Sequence, residues 1–553
     1  MPNYFSILLS LVFLTACMTP EARAQEKTYD YIIKDALVFD GESVQPIKQD
    51  IAITGNRIVQ LGQLTREEGR EVIEAEGLVA APGFIDLHTH SDFNPFVYPD
   101  LGNKVLQGVT TEVVGNCGMS AAPVTGAHKE HIAEVWRREG VQIPSKLSWE
   151  SFQEYGEEIE LKGLDANFAS LVGHGNLRSA QIAMNPRDPT PDEVEEMKKL
   201  LREALDEGAF GVSFGLAYLP GTFSKKEELV EICREAGLKK NPCVFHMRSE
   251  SKQLVEAVQE AIEIAREANA PLHISHLKAS SRSNWPKIHE VFNLIEKAQS
   301  EGLVVTADAY PYTAGAAELG VILPNAIYQD PGRVARFKDL TKRKKLLREL
   351  RRHYEASPVS WDAIKIATVA QPKNFPLQGK SIQQIAETWG KTPVEALVEL
   401  LAEEEFQVSA FYFSQSEAVM EEVLSKPYVA IGSDSIADGS ASPHPRSYGT
   451  FPKILARCPK DAVTRDPCWG RSIHQMTVLP ARILGLKDRG KIYPGFSADL
   501  VLFDPATVQD KADYANPKAQ PVGIQWVFVN GKPVVRNGKY KPVHSGLFLT
   551  SQK

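Results

Sequence analysis

Eight short apolar runs, separated by stretches of helical periodicity, constrain the fold of this 553-residue chain more than any other feature. The runs are 83–90, 110–117, 168–174, 210–216, 244–246, 272–276, 304–310 and 429–434. Strands and helices that alternate eight times are typical of a (β/α)8 barrel, in which parallel strands close into a ring. The sequence therefore predicts an α/β protein with a TIM-type barrel over residues 83–487.

The stretch 190–207 carries the clearest helix signals. Thr190 is placed to cap the helix, Pro191 suits its first turn, and Glu193 completes a capping box. Gly208 follows as the stop signal. The pattern predicts a helix that begins after Thr190.

Short alternating runs of strand-forming residues lie at both ends of the chain, within 27–82 and 488–550. The pair Asn530-Gly531 between two such runs is a strong signal for a tight hairpin. We therefore expect one small β-sandwich that is assembled from both termini and brackets the barrel.

The interval between the seventh and eighth runs is too long for a simple connection, which predicts an insertion around 315–415. Its portion 333–354 is rich in Lys and Arg. We expect a lid or flap here; the alternative is a solvated helical decoration, because charge runs commonly form exposed faces.

Residues 1–24 are predicted to be a signal peptide. The apolar segment 4–16 is too short to span a membrane, and Leu14-Thr15-Ala16-Cys17 resembles a bacterial lipobox. Cleavage before Cys17 and acylation of its thiol would give an exported lipoprotein that is anchored to the membrane and faces the periplasm. The competing motif Ala22-Arg23-Ala24 would instead allow cleavage near Gln25 and release a soluble periplasmic protein.

The other cysteines include two pairs with a spacing of ten residues, and an exported protein can form disulfides. The pair Cys458/Cys468 lies in a loop rich in Pro and Asp and is the favoured bridge. The pair Cys233/Cys243 is less favoured, because Cys243 begins an apparent core strand. Cys117 is left without a partner.

Charge composition indicates the kind of partner. The chain has 62 Lys and Arg against 70 Asp and Glu, a net charge of −8, with a pI near 6.0. It therefore lacks the bulk positive field that binds nucleic acid non-specifically, and a small molecule is the expected partner. Contact with a membrane is expected only through the N-terminal lipid anchor.

Ligand-type residues stand at the ends of the predicted barrel strands: His88, His90, Cys117, His174, His246, His276 and Asp434. In such a barrel the carboxyl ends of all strands meet at one mouth, where the chemistry takes place. Imidazole, thiolate and carboxylate are together the donors that zinc prefers. The sequence therefore predicts a zinc centre at this mouth.

Several motifs carry a resemblance to a known family. The segment 83–90, ending His88-Thr89-His90, resembles the amidohydrolase superfamily. Segments 115–118, 246–250, 275–278 and 444–451 are similar to the D-aminoacylases, which are N-acyl-D-amino-acid deacylases. The resemblance extends from Lys27 to the C-terminus and implies the same barrel with the same small β-sandwich.

One position departs from the hydantoinase-like members of the superfamily. These carry a carboxylated lysine at the end of the fourth strand, whereas the run 210–216 contains no lysine. A Cys117 thiolate can take its place. The resemblance implies that Cys117, His246 and His276 hold one tight zinc, and that His88, His90 and Asp434 can hold a second, weaker one.

The resemblance also suggests roles in amide hydrolysis. Asp434 is the expected general base, and His174 and Tyr218 are candidate hydrogen-bond donors to the developing oxyanion. Lys278, Tyr310 and Arg446 are the candidates for binding the substrate α-carboxylate. Arg248 is an alternative clamp, or a partner of Glu250.

The function expected from these features is zinc-dependent hydrolysis of N-acyl-D-amino acids to a carboxylate and a free D-amino acid. The preference for the D form follows from the resemblance alone. Alternatives are a dipeptidase or cyclic-amide hydrolase on the same barrel, or a lipid-anchored binding protein without catalysis. Asp434 argues against the last alternative, since a binding protein needs no base.

Overall fold

A computed structural model describes Met1 and residues 28–551, except residues 139, 142, 145 and 437. The predicted signal peptide, with Cys17 and both cleavage positions, lies outside the described residues. Within the described part of the chain, no helix has the length and apolar character needed to cross a membrane.

Eight parallel strands form a closed barrel, so the predicted fold class is confirmed. The strands are Phe84–Asp86, Val109–Val114, Asn167–Ser170 continued by Val172–Gly173, Val212–Gly215, Cys243–His246, Leu272–Ile274, Val305–Ala309 and Val429–Ile431. Each pairs in parallel with its neighbour. A parallel bridge between Thr89 and Ser435 joins the first strand segment to the last. The carboxyl ends of all the strands therefore surround one mouth.

Two apolar layers hold the barrel together. One cluster unites Ile85, Val113, Val244 and Ala430, which come from strands on opposite sides and meet only in the barrel interior. The other unites strand residues such as Phe245 with the surrounding helices. Because side chains alternate along a strand, this two-sided burial fits the continuous apolar runs in the sequence.

The α-helices span Asn94–Val97, His128–Arg138, Phe152–Lys162, His174–Ile182, Pro191–Asp206, Lys226–Leu238, Leu254–Ala268, Ile288–Ser300, Asn325–Tyr328, Arg333–Lys338, Leu340–Ala356, Ile382–Trp389, Pro393–Glu403, Glu417–Leu424, Arg446–Ala456, Pro467–Met476 and Val478–Leu484. Short 3-10 turns span Arg66–Glu68, Val105–Gln107, Gly221–Phe223, Arg282–Lys287, Leu319–Ile322, Trp361–Ala363 and Pro372–Leu377. The predicted start at Thr190 is confirmed: its side chain accepts from the Glu193 N–H, and the capping box is complete.

The strands of both termini join in one nine-stranded sheet. They are Tyr29–Val38, Ile47–Thr54, Arg57–Gly62, Gly69–Glu74, Val79–Pro82, Leu500–Phe503, Ile524–Val529, Lys532–Arg536 and Lys539–Tyr540. N-terminal and C-terminal strands meet where Val79–Pro82 pairs antiparallel with Leu500–Phe503. Apolar residues from both ends, including Ile51 and Phe528, share one core. The chain limits of 27–82 and 488–550 for this unit stay a prediction.

The predicted insertion contains a folded unit with its own core. Strands Ala314–Glu318, Ile364–Val369 and Val408–Phe413 form an antiparallel sheet, and its apolar side packs with helices of the same unit. The basic portion includes helix Leu340–Ala356, which buries Leu346 and Leu350 and exposes most of its cations. This portion fits the alternative of a solvated helix on the surface of the unit, whereas a lid movement stays a prediction.

Both predicted cysteine pairs are disulfides. Cys458 is bonded to Cys468 as favoured, and Cys233 is bonded to Cys243 with the two Cα atoms 5.8 Å apart. The low rank given to the second pair was wrong, because helix Lys226–Leu238 packs beside the strand that Cys243 begins. Among the described cysteines, Cys117 alone is free.

Candidate functional site

Donor atoms from four separate strand ends converge at the barrel mouth. Cys117 Sγ lies 3.3 Å from His88 Nε2 and 3.6 Å from His276 Nε2. His276 Nε2 in turn lies 2.8 Å from His246 Nδ1. These four side chains are buried, so their donor atoms face one another and not solvent.

A second group shares His88 with the first. Asp434 Oδ1 lies 3.5 Å from His88 Nε2 and 3.6 Å from His90 Nε2. The ligand-type atoms of His88, His90 and Asp434 all lie within 4.8 Å of one another, as do those of His88, Cys117 and His276. The structure thus brings together all six residues that the sequence predicted to bind metal.

Most of the six donor residues lie just past the ends of the strands. The predicted runs had included them within the strands. His88 follows Asp86 by two residues, and Cys117 follows Val114 by three. Cys117, His276 and Asp434 have left-handed backbones, with φ of 52°, 35° and 51°. A left-handed residue cannot continue a strand, and such strain in residues other than glycine is concentrated at functional sites. At these three positions the left-handed backbone ends the strand and turns the side chain into the mouth.

The structure explains why Cys117, and no lysine of the fourth strand, stands in the mouth. The fourth strand ends at Gly215, where a Cβ atom would lie 2.1 Å from the backbone oxygen of Cys117. The loop that carries Cys117 therefore occupies the space that a side chain at this strand end would need.

Electrostatics favour the anionic forms of the two acidic donors. Burial opposes ionisation of Cys117, but the imidazoles of His88, His246 and His276 hold the pKa of its thiol well below the usual range. Burial also opposes ionisation of Asp434, yet Arg446 and His88 hold its pKa well below that of an ordinary carboxyl. A thiolate and a carboxylate are the forms that bind metal.

The donor set fits zinc. It offers one thiolate, one carboxylate and four imidazoles, all buried, and each belongs to a cluster of ligand-type atoms that lie within 4.8 Å of one another. Soft and borderline donors of this kind select zinc, whereas magnesium and calcium prefer oxygen-only sets.

Arg446 lies against the second group. Its Nη1 donates to Asp434 Oδ2 at 2.8 Å, and its guanidinium carbon lies 4.8 Å from the centre of the Tyr310 ring. Its Nε and Nη2 are buried and have no hydrogen-bond partner among the described residues. An arginine that is fully buried with two unused donors is prepared for an anion that is not part of the chain.

Comparison with known proteins assigns the family. The sequence profile of the amidohydrolase family matches residues 71–535. The chain belongs to the amidohydrolase family. A D-aminoacylase of Alcaligenes xylosoxydans xylosoxydans is 31% identical over 96% of this chain and 99% of its own length. An N-acyl-D-aspartate deacylase of the same organism is 32% identical over 93% of this chain and 94% of its own length.

A solved structure agrees with this assignment. The N-acyl-D-glutamate deacylase of Bordetella bronchiseptica, in complex with zinc and a phosphonate mimic of the tetrahedral intermediate, has a TM-score of 0.79 and 30% identity. The match covers 95% of this chain and 100% of that structure. The predicted resemblance, the predicted enzyme class and the prediction of zinc are thereby confirmed for this amidohydrolase.

Two of the predicted residues of the amidohydrolase, Arg248 and His174, have other surroundings than expected. Arg248 donates to both oxygens of Glu260 and is paired there, so it is neither a clamp nor a partner of Glu250. His174 Nε2 lies 2.8 Å from Glu228, a buried carboxylate that also binds Arg178. The ring of Tyr218, by contrast, lies 4.5 Å from the ring of His246, beside the predicted ligands.

Two carboxylates of the site, one buried and one half-buried, were missed as functional residues. Glu250 lies 2.8 Å from His276 Nδ1 and 2.5 Å from Lys278 Nζ. Asp308 lies 3.1 Å from His88 Nδ1. A signal for both existed, because Glu250 follows His246 by four residues and Asp308 lies at the end of the seventh strand. The sequence could not tell which histidine each carboxylate contacts.

Proposed function

We propose that this amidohydrolase is a zinc-dependent N-acyl-D-amino-acid deacylase, which releases a carboxylate and a free D-amino acid. The observation that carries the proposal is the juxtaposition of Asp434 with Arg446, whose two buried donors are unused. A base next to a prepared anion site suits an amide substrate that bears its own carboxylate. The relatives named above support this substrate class.

The proposed ligands fall into two sets. Cys117, His246 and His276 form the tight set, supported by the contacts of His276 Nε2 with both of the others. His88, His90 and Asp434 form a weaker second set, in which Asp434 is shared with Arg446. A carboxylate that is already paired with a cation is the weaker donor, because part of its charge is neutralised.

Asp434 is proposed to move the proton during hydrolysis. Zinc held by this site supplies Lewis acidity, which lowers the pKa of a water molecule and polarises the substrate carbonyl. Asp434 Oδ1 is directed towards the histidine pair and accepts the proton of the attacking water. The same carboxyl then donates that proton to the nitrogen of the leaving amine. Arg446 holds Oδ2 and so keeps Oδ1 oriented.

Arg446 and Tyr310 are proposed to bind the α-carboxylate. The free Nε and Nη2 of Arg446 form the fork that matches two carboxylate oxygens. Tyr310 is buried, and its hydroxyl accepts from Gln415 at 3.2 Å, so its own proton is available to a substrate oxygen. Lys278 donates to Glu250 and to the backbone oxygen of His276. Because these donors are already engaged, we propose that Lys278 attracts the substrate carboxylate by its positive charge and does not bind it through a free N–H.

Tyr218 is the proposed donor to the oxyanion. Its ring packs on the imidazole of His246, which places it beside the tight set. His174 is the less suitable candidate, because Glu228 engages its Nε2 and Phe214 packs against its ring. These contacts favour Tyr218 over His174 as the donor.

The substrate side chain is proposed to be apolar. A small, narrow cavity lies beside Lys278 and Tyr310. Its walls include the apolar side chains Leu277, Val419, Met420 and Val423. Lys278 is the one cation among the described residues that line it, and Glu250 already neutralises that cation. An acidic side chain would be buried there without a partner, which is costly.

Export and lipid anchoring at Cys17 are also proposed. The supporting observation is the pair of disulfides, Cys233–Cys243 and Cys458–Cys468. Such bonds persist in oxidising compartments such as the periplasm and are rare in the cytosol. Radiolabelled fatty acid incorporated into wild-type protein, but not into Cys17→Ala, would support the anchor. Incorporation into both proteins, or cleavage near Gln25, would contradict it.

A panel of substrates tests the proposed activity. Zinc-loaded protein is assayed with the N-acetyl derivatives of D- and L-leucine, D- and L-methionine, D-aspartate and D-glutamate. Release of the D-leucine and D-methionine products well above all others is the expected result. Hydrolysis only of dipeptides or cyclic amides would replace the proposal by the alternative named above, and a preference for acidic substrates would refute the assignment of the cavity.

A further inference from the structure

Asp308 stands at the centre of a buried network that joins two barrel strands to the metal-binding groups. The residue is the last but one of the seventh strand and has no exposed surface. Its Oδ2 lies 3.1 Å from His88 Nδ1 and 2.9 Å from His273 Nε2, and its Oδ1 accepts from the backbone N–H of His276 at 2.9 Å. One carboxylate therefore contacts the segments of two proposed ligands.

The proton on the ring of His88 follows from these contacts. An ionised carboxylate only accepts hydrogen bonds, so a ring nitrogen in contact with it must carry the proton. His88 Nδ1 is then the N–H, and His88 Nε2 presents its lone pair. That lone pair faces Cys117 Sγ at 3.3 Å and Asp434 Oδ1 at 3.5 Å.

We propose that Asp308 is a positioning residue that fixes the ring tautomer of His88, the histidine shared by both groups of metal-binding atoms. This proposal rests on the proposed zinc centre. Carboxylates behind ligating histidines set the tautomer and the ring orientation in many metal sites. The structure assigns this role here to a residue that does not itself face the metal-binding atoms.

The backbone around Asp308 is adapted to the close approach of Asp308 and His88. A Cβ atom at Gly432, which directly follows the eighth strand, would lie 2.7 Å from the His88 Cβ and 3.0 Å from Asp308 Oδ1. Glycine is therefore required for His88 and Asp308 to approach each other. The hydrogen bond to the backbone of His276 also supports a residue with φ of 35°, which is a strained conformation.

Exchange of Asp308 for the isosteric asparagine separates positioning from simple packing. Asn keeps the shape but offers one acceptor and two donors. If its oxygen accepts from the His276 N–H, its NH2 group faces His88 and demands the opposite tautomer, with the proton on Nε2. If the amide is reversed, two buried donors face each other at His276. In Asp308→Ala, a water molecule can enter the vacated space and accept the proton of His88.

The experiment compares the affinity for the second, weaker zinc, which His88 is proposed to hold, by competition with a chelator for wild type, Asp308→Ala, Asp308→Asn and His273→Gln, each in the full-length mature protein. We expect a loss of roughly 10–100-fold for Asp308→Ala and a larger loss for Asp308→Asn. His273→Gln is the matched control, because the Gln amide can still donate to Asp308. Melting temperatures are measured alongside the affinities.

The proposal would be overturned if Asp308→Asn bound zinc as tightly as Asp308→Ala, or more tightly. If Asp308 only filled space, asparagine, which has the same shape, would preserve zinc affinity better than alanine. If Asp308→Asn does not fold, the tautomer of His88 can be measured directly in the wild-type protein. Selective ¹⁵N-histidine labelling of the zinc-loaded protein, assigned with His88→Gln, is expected to show a proton on His88 Nδ1. A bare Nδ1 would overturn the proposal, whereas a wild type that binds no zinc would refute the proposed function instead.

Discussion

Arg446 holds one oxygen of Asp434, at 2.8 Å from Oδ2, while the other oxygen faces the imidazoles of His88 and His90. The proposed base and the proposed substrate clamp are therefore in direct contact. A substrate carboxylate bound by Arg446 would be fixed relative to Asp434 without any intervening residue. The contact makes separate predictions for the two side chains.

Asp434→Asn should lose most of its turnover and keep its tightly bound zinc. The amide cannot accept a proton, and general-base catalysis contributes about 10²–10⁴-fold. The tight set of Cys117, His246 and His276 stays complete in this variant. We expect a fall of kcat by at least about 100-fold, measured with N-acetyl-D-leucine together with the zinc content. A variant with near-normal kcat would show that another group acts as the base.

Arg446→Ala should weaken catalysis mainly for substrates that carry a free carboxylate. Truncation of one partner of a buried charge pair costs about 2–5 kcal/mol, which corresponds to a fall of roughly 30–5,000-fold in kcat/KM. The methyl ester of the same substrate lacks the charge and should lose less. Arg446→Lys is the control, because it keeps the charge but not the fork. Equal losses for acid and ester would mean that Arg446 acts on Asp434 alone.

The positions of the ligands were predictable because barrel topology brings strand ends together. Five of the predicted ligands stand near the ends of apolar runs: His88, Cys117, His246, His276 and Asp434. Parallel pairing of the strands is enough to place these ends at one mouth. The exact strand limits were not predictable. The strained turns at Cys117 and Asp434 end the strands early, and such turns have no signature in the alternation of apolar residues.

Contacts between side chains of distant segments were beyond the sequence. Arg248 and Glu250 are two residues apart, yet Arg248 pairs with Glu260 on the following helix and Glu250 pairs with His276, just past the next strand. The choice depends on where the helix Leu254–Ala268 packs, which no local pattern determines. The core of the insertion posed the same difficulty, because its three strands pair out of sequence order.

Glu228→Gln should destabilise the protein at neutral pH. Burial opposes ionisation of Glu228, but His174 and Arg178 lower its pKa to about 2. A carboxyl with a depressed folded-state pKa contributes stability above its unfolded pKa, near 4.5, and this stability is lost as the pH falls towards 2. We expect a loss of about 2–4 kcal/mol in the free energy of unfolding at pH 7.

The pH dependence provides the control for this prediction. The difference between wild type and Glu228→Gln should be constant at neutral pH and shrink as the pH falls below about 4.5. Glu193→Gln is a matched variant on the surface, where an exposed pair with Arg187 contributes little. Denaturant unfolding from pH 3 to pH 8 measures both. A gap between wild type and Glu228→Gln that is independent of pH would mean that the loss comes from packing.

Cys117→Ser should release zinc from the tight set. Serine keeps the size of the side chain but removes the thiolate, and zinc does not readily deprotonate a hydroxyl. Cys117 is buried among His88, His246 and His276, which stabilise its anion, so the variant loses both a ligand and a negative charge. Bound zinc after dialysis against a weak chelator and the melting temperature of the metal-free protein are measured together. We expect zinc retention to fall at least tenfold while the metal-free melting temperature changes by a few degrees at most. Full zinc retention with a lowered melting temperature would mean that Cys117 is a packing residue and that the tight site uses His88 with His246 and His276 instead.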